Sequence, residues 1–438
     1  MKSPVPVAIL GAGPAGCALA AFFAQRGVPS VLFSDDKRPD LLVGESLIPA
    51  VVPILRRLGI EERVAEFSMR KPGATFLHEK AKPVEFSFTS VAHLLPPYSY
   101  NVPRPRFDNL LTARAAELGV PTVHCRGVAE RAPEGSGREL QLTAETLAAA
   151  DEYFRGRQPD LIVDATGRAR HTAKVLGLEA DLGTRTDVAH FAHFEGFRMP
   201  EPEGTAVLTL LSRGWNWRIP LRDGRLSVGI VVNKELAKHW GSSPAEVLEN
   251  AIRNEPLLAR DAGQARRVTD VQSYANYQLV SKRASGPGWV AVGDAFGFVD
   301  PMLSSGLFLA LEAARVLDEA LFGAPEAPCD AAQLQRTDQV AAACRRAEET
   351  MRDWLRSWME TIRFFYEGQI FCMSEAGKTH MGSGRNPVAN FVEHHSRRAV
   401  AGLASGATTR SRWSRGLVRF VADRLIWGVP PPSVFTIR

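Results

Sequence analysis

Three stretches of the chain are apolar without interruption and stop at a glycine or an acid. They are Val5 to Leu10 before Gly11, Leu161 to Val163 in "LIVDATGR", and Trp289 to Val292 in "WVAVGDAFGFVDP". Short unbroken runs of this kind predict strands buried on both faces, as in a parallel sheet. "SVLFSDD" (30–36) is a further strand of the same type. "GWNWRIPL" (214–221) alternates instead, and in a strand that puts Trp215 and Trp217 on one face with Asn216 and Arg218 on the other. "HFAHFEG" (190–196) also predicts a strand, on which His190 and His193 face opposite ways and do not pair on a metal. "SPAEVLENAIRNE" predicts a surface helix with Ser243 as N-cap, Pro244 in the first turn and Glu246 closing a capping box. Residues 330–375 predict helix, and the aromatic segment "MRDWLRSWMETIRFFYEGQIF" is expected to cover a site. Residues 404–416 form a basic loop of small residues, followed by an amphipathic helix over 417–427 and an extended tail.

Composition narrows the class without naming it. The chain has 438 residues, 45% hydrophobic and 23% charged, as in ordinary globular proteins. No apolar run approaches a membrane span, and the first one is too short for a signal segment, so a cytoplasmic location is expected. The five cysteines lie far apart with no CxxC pair, which argues against a zinc site and a disulfide framework. The net charge of +5 is uneven, with nine arginines in residues 381–438 against Glu393 and Asp423. That excess reads either as solvated surface or as a dock for an acidic partner or an anionic membrane surface. No nucleic-acid motif accompanies it. With a helix starting near Ser414, Arg415 and Arg419 share one face opposite Leu417, Phe420, Val421 and Leu425, which makes that basic face the expected dock for such an acidic partner.

The first chemistry lies in "VPVAILGAGPAGCALAAFFAQRG". Gly11, Gly13 and Gly16, with Ala15 between them, give G-x-G-x-x-G between a predicted strand and a predicted helix. Gly11 serves the tight turn, Gly13 lets a pyrophosphate approach the backbone, and Gly16 lets helix and strand pack closely. The helix N-terminus then faces the phosphates with free N–H groups. The strand that follows should end in the acid that holds a ribose. Its usual register carries Ser34, so Asp35 is the candidate, the alternative being a solvated turn.

Three more segments occur in a fixed order behind this turn. They are the arginine-led "NVPRPRFDNLLTARAAELG" (101–119), "LIVDATGR" and "WVAVGDAFGFVDP". Together they resemble the FAD-binding monooxygenase superfamily. The resemblance implies an α/β, glutathione-reductase-type FAD-binding fold, with Arg104 at the FAD phosphates and Gly293 and Asp294 at the ribityl chain. "GESLIPA" (44–50), with Glu45 and Ser46 as further cofactor contacts, the W-x-W-x-I-P motif of Trp215, Trp217, Ile219 and Pro220, and "DPMLSSGLFLAL" narrow it. They resemble the flavin-dependent halogenases, on the branch that acts on phenols, pyrroles and acyl aromatics rather than free tryptophan. Leu77 and Leu303 stand where the tryptophan-type lysine and carboxylate would fall.

The resemblance carries a chemistry. FADH2 from a separate reductase reacts with O2 to a C4a-hydroperoxide, which chloride or bromide converts to hypohalous acid. The acid crosses a tunnel walled by the W-x-W-x-I-P residues to an aromatic substrate, free or tethered to an acyl carrier protein. A lysine activates it there, by hydrogen bonding or as a haloamine. Lys71 fits that role, with Lys80 and Lys82 as neighbours. Pro301, Ser304, Ser305 and Gly306 form the halide and flavin edge, or the flavin edge alone as in hydroxylases. An aromatic hydroxylase or oxidoreductase, or a non-catalytic flavoprotein partner of a biosynthetic complex, are the other readings. The expected organisation is an FAD-binding domain from 1–60, 95–180 and 285–325, a β-rich substrate layer from 61–94 and 181–284, and a C-terminal helical region, 326–438.

Overall fold

The computed structural model describes residues 5–35, 41–276, 278–327, 329–372, 387–425 and 436–437. The unbroken apolar runs form the centre of a six-stranded sheet, in the order Ser285–Gly286, Trp289–Ala291, Leu161–Asp164, Val7–Leu10, Ser30–Phe33 and Thr122–Val123. Its inner pairings are parallel, with Leu10 opposite both Asp164 and Phe33. Parallel strands end on one edge, so Gly11, Asp164 and the Gly293 turn meet at the same rim of the sheet. That rim is where ligands sit in open α/β sheets.

Helix Pro14–Gln25 covers one face and is buried along most of its length. Helix Ser305–Phe322 packs against it, and Phe23 meets Phe322 edge to face at 5.5 Å. The joint also carries a buried ion cluster. Asp318 is fully buried and receives Arg26 Nε at 2.8 Å together with the Arg57 guanidinium. Removing one partner of such a cluster leaves the other charges desolvated and unpaired. Asp318→Asn is therefore expected to lower unfolding free energy by about 3–5 kcal/mol in urea titrations. A loss below about 0.5 kcal/mol would show that water reaches the arginines.

The second layer is an eight-stranded sheet built from residues 73–87, 187–233 and 266–276. Strand Gly214–Pro220 lies between Ala206–Leu211 and Leu226–Asn233 and is buried throughout. One face of this sheet joins the main core through Phe191, Trp215 and Trp217. The other packs a separate core, in which Val228 and Ile230 meet Val247 and Leu248 of helix Pro244–Asn254. The capping box of Ser243 and Glu246 is present on that helix. Residues 61–94, expected to be strand-rich, open with helix Glu61–Phe67 and continue in strands Met69–Lys71, Gly73–His78 and Ala81–Ser87.

The aromatic C-terminal segment forms the long helix Thr337–Tyr366, whose Trp354 and Trp358 lie 5.1 and 6.2 Å from Phe308. Helix Pro387–Ala404 follows, and then Arg412–Phe420, capped by Ser411 and so starting earlier than 417. Here the expectation of a basic docking face is corrected. Arg415 pairs with Glu360 at 2.8 Å and donates to Ser357 Oγ and the Thr409 carbonyl, while Arg419 reaches the same Glu360. Arg410 pairs with Asp353 at 2.5 Å. These arginines fasten the last helix to the long one. The expected apolar stripe is also rearranged: Val418 and Val421 are buried, whereas Trp413 and Phe420 are exposed. The side chain of Leu425 lies outside the described residues. Among the described residues, no helix is long and apolar enough to cross a membrane.

Candidate active site

A cavity of about 310 Å³ runs from the first glycine turn, between the two sheets, to Lys71. At the near end the three glycines divide their work. Gly11 has φ +109, and a Cβ there would stand 2.5 Å from the Ala165 carbonyl oxygen. A Cβ on Gly16 would stand 2.0 Å from the Gly11 carbonyl oxygen. A Cβ on Gly13 would meet no protein atom within 4 Å, and Gly13 and Ala15 line the cavity. Two glycines are thus demanded by the protein's own packing, and the third leaves room for a ligand at a helix N-terminus.

The other cofactor candidates divide in the same way. Arg104 lines the cavity, held by a fork to Asp108 at 3.0 and 3.1 Å and by the Val43 carbonyl. Asp294 also lines it, and burial pushes its carboxyl up to about 6 against the opposing pull of Arg168 and Arg104. Gly293 is buried beside Ala15. Glu45 and Ser46 line the cavity, but their side chains are committed elsewhere. Glu45 pairs with His193 at 2.9 Å, and Ser46 donates to Asn101 Oδ1 at 3.0 Å. What this loop offers a ligand is therefore backbone. Asp35 is exposed just beyond strand Ser30–Phe33 and does not line the cavity.

Beyond Asp294 the chain turns through Asp300 and Pro301 into helix Ser305–Phe322. In "SSG" the glycine is the residue that most readily adopts left-handed backbone. Instead Leu303 and Ser304 hold left-handed backbone, with φ 64 and 59. Such a conformation costs a bulky residue energy and persists only where the surroundings impose it. Pro301, Ser304 and Gly306 line the cavity, while the Ser305 side chain is buried. A Cβ on Gly306 would project into open space. The first N–H groups of this long helix have no partners within it, and its dipole favours an anion there.

At the far end Lys71 is 3% exposed, whereas Lys80 and Lys82 are exposed. It closes strand Met69–Lys71, opposite Ser99. Its Nζ donates to the Leu47 carbonyl at 3.0 Å and lies 5.3 Å from the centre of the Phe88 ring. Burial without an acidic partner pulls the ammonium down to about 7, so amine and ammonium are both populated at neutral pH. Phe76, Phe86 and Phe88 surround this end, and Trp215 and Trp217 wall the middle with ring centres 5.9 Å apart. Ile219 lines the wall too, while Pro220 stays behind it and accepts from Asn101 Nδ2 at 3.1 Å.

Other parts of the lining carried no motif. Ala401 and Ala404 reach the cavity from helix Pro387–Ala404, and small size alone gives a sequence no reason to single them out. Arg168 was visible in "LIVDATGR", yet its position over the Tyr274 and Phe298 rings, 5.5 Å from each centre, needed the fold. His190 is bonded to Ser273, and among the described residues no group of side chains could hold a metal ion.

The residues present fit FAD. A turn leaves room beside a helix N-terminus, a cation and a carboxylate face the same space, and a second helix N-terminus waits beyond them. Comparison with known proteins agrees. A family model described as tryptophan halogenase matches residues 6–96 and 80–361. A tryptophan 2-halogenase of Chondromyces crocatus is 27% identical over 320 residues, covering 72% of this chain and 60% of that protein. The 1H-pyrrole-2-carbonyl-[peptidyl-carrier protein] chlorinase of Pseudomonas fluorescens is 25% identical over 390 residues, covering 83% of this chain and 84% of that protein. The chain thus spans only about 60% of the length of several relatives it matches. In fold, it aligns with the flavin-dependent brominase Bmp2 at a TM-score of 0.70 and 19% identity, over 99% of this chain and 97% of that one. A flavoprotein/dehydrogenase from Cytophaga hutchinsonii aligns at 0.78 and 20%, over 97% and 99%. With a family model spanning most of its length and a cavity that joins a dinucleotide turn to a buried lysine, the chain belongs to the flavin-dependent halogenase family.

Proposed function

We propose that this protein is a halogenase of an electron-rich aromatic ring, a phenol, pyrrole or aryl acid, either free or tethered to a carrier protein. Family membership makes FAD its cofactor and chloride or bromide its halide. The observation that carries the reading is the continuity of one largely apolar cavity from the glycine turn to Lys71. Bound as FADH2, the cofactor supplies the two electrons that, with O2, allow a halide to be oxidised to hypohalous acid. The protein's part is to hold, orient and exclude. The Gly13 turn and Arg104 take the diphosphate, and Asp294 takes a hydroxyl of the ribityl chain. The N–H groups of Ser305 and Gly306 hold the halide. Trp215, Trp217 and Ile219 form a dry wall that keeps bulk water and the organic substrate from the flavin. Lys71 Nζ donates to the hypohalous acid, or as the amine takes its halogen with release of water, and presents it to the ring among Phe76, Phe86 and Phe88, which loses a proton as the carbon–halogen bond forms.

Electrons come from a separate reductase, since the chain has one glycine fingerprint and that one serves FAD. The carrier-tethered substrate of the Pseudomonas relative supports that class here. The test is incubation with a flavin reductase, FAD, bromide and a panel of phenols, pyrroles and aryl acids, free and carrier-bound. Products gaining one bromine in mass spectrometry are expected. One added oxygen would mean a hydroxylase. Neither product across the panel, with FAD still bound, would favour a non-catalytic flavoprotein or a substrate outside the panel.

A further inference from the structure

A buried polar network runs from the cavity lining at Trp215 and Asp300 into the core behind it, and the reading above does not use its inner part. Its centre is Tyr366, the last residue of the long helix Thr337–Tyr366. The Tyr366 hydroxyl lies 3.1 and 3.2 Å from the two carboxylate oxygens of Asp300 and accepts the Trp215 Nε1–H at 3.1 Å. With one proton, the phenol donates to one carboxylate oxygen at a time. Burial and the Asp300 charge raise the phenol well above its ordinary value, so the proton stays on Tyr366. The Arg185 guanidinium stacks on the ring at 4.0 Å and pairs with Asp187 at 2.6 Å. The Tyr366 carbonyl is bonded too, by the Ile437 N–H at 2.9 Å. The hydroxyl, one ring face and the backbone carbonyl of Tyr366 are therefore all engaged.

What Tyr366 holds in turn is unusual. Asp300 is fully buried, immediately precedes Pro301, and accepts the Met302 N–H at 2.9 Å. It thus anchors the turn whose next two residues, Leu303 and Ser304, carry left-handed backbone. Backbone of that kind keeps its shape only through outside support. One phenol joins that support to Trp215, which walls the passage. We propose that Tyr366 is a positioning residue of the flavin edge: through Asp300 it sets the Pro301–Gly306 turn against the isoalloxazine and the halide, in register with the Trp215 wall. The proposal rests on the reading of this turn as a flavin and halide edge.

Tyr366→Phe in the full chain tests it, because the ring and its stacking on Arg185 remain while the bonds to Asp300 and Trp215 go. FAD affinity is expected to stay within about threefold, and the KM for bromide to rise about tenfold, near the low end of the worth of one hydrogen bond to a charged group, with kcat changed far less. The visible bands of bound oxidised flavin should shift, and thermal unfolding should show a folded protein. An unchanged bromide KM with an unchanged flavin spectrum overturns the proposal. So does a parallel fall of kcat, FAD affinity and stability, which marks a purely structural tyrosine. If the wild-type protein makes no halogenated product, the functional reading fails separately. The flavin spectrum then decides the positioning role: a shift retains it and no shift overturns it.

Discussion

Replacing Lys71 by alanine should reduce halogenated product by at least about 100-fold, the lower range for a lost proton-transfer or donor group, while flavin reoxidation continues. Among the described residues Lys71 is the one lysine that lines the cavity, and it lies at the end away from the cofactor turn. Its removal therefore leaves FAD binding intact and strips the far end of its donor. Lys71→Arg should fail as well, because a guanidinium is bulkier and does not lose its proton to become a nucleophilic amine. Product at the wild-type level from Lys71→Ala would move the role to the exposed Lys80 or Lys82, or to no lysine.

The same lysine gives a readout that needs no catalysis. Folded Lys71 titrates near 7 and an unfolded lysine near 10.5, a gap equivalent to about 5 kcal/mol. Between those values the unfolded chain binds the extra proton, so stability from this group rises with pH. The burial cost is fully present below about pH 7 and gone near 10.5. Lys71→Met should thus be more stable than wild type at pH 6, with the advantage shrinking as pH climbs through that window. Equal stabilities at both ends would show that the ammonium is well solvated.

Gly13→Val should weaken FAD binding at least about 100-fold without unfolding the chain, since the side chain takes space the pyrophosphate needs. The backbone at Gly13, φ −75 and ψ −179, is one that valine adopts readily. Gly16→Val is the contrast. Its side chain would collide with the Gly11 carbonyl, so both FAD binding and thermal stability should fall. Fluorescence titration with FAD and calorimetry of both variants separate the two effects. Full FAD affinity in Gly13→Val would show that the turn serves another ligand.

Which residues line the glycine-turn end of the cavity was legible in part because the signals are local: the glycine turn and the strand ends are each contained in a few adjacent residues, whereas Asp35, read from register alone, does not line it. Lys71 was reachable by motif, but its burial was not, because that depends on Leu47 and Phe88 arriving from other segments. Tyr366 was invisible. It stands 66 residues from Asp300 on a helix whose pattern says only that one side is buried. The arginine-rich end misled for a related reason. Charge counting places arginines on a face without showing that Glu360 and Asp353 of another helix already occupy them. The backbone of Leu303 and Ser304 broke a local rule, since glycine is the usual occupant of such positions and stood two residues further on.

The central sheet also sets a timetable for synthesis. Strand Val7–Leu10 pairs with Leu161–Asp164, which follows it in the chain by roughly 150 residues and in turn pairs with Trp289–Ala291. At 5–20 residues per second, the roughly 150 residues between the first two strands take about 8–30 s to translate. For that interval an unbroken apolar strand has only Ser30–Phe33 as its eventual neighbour. The nascent chain thus passes through a long phase in which a chaperone has more to bind than FAD does. The glycine turn at Gly13 is made roughly 280 residues before Asp294, which lines the same cavity.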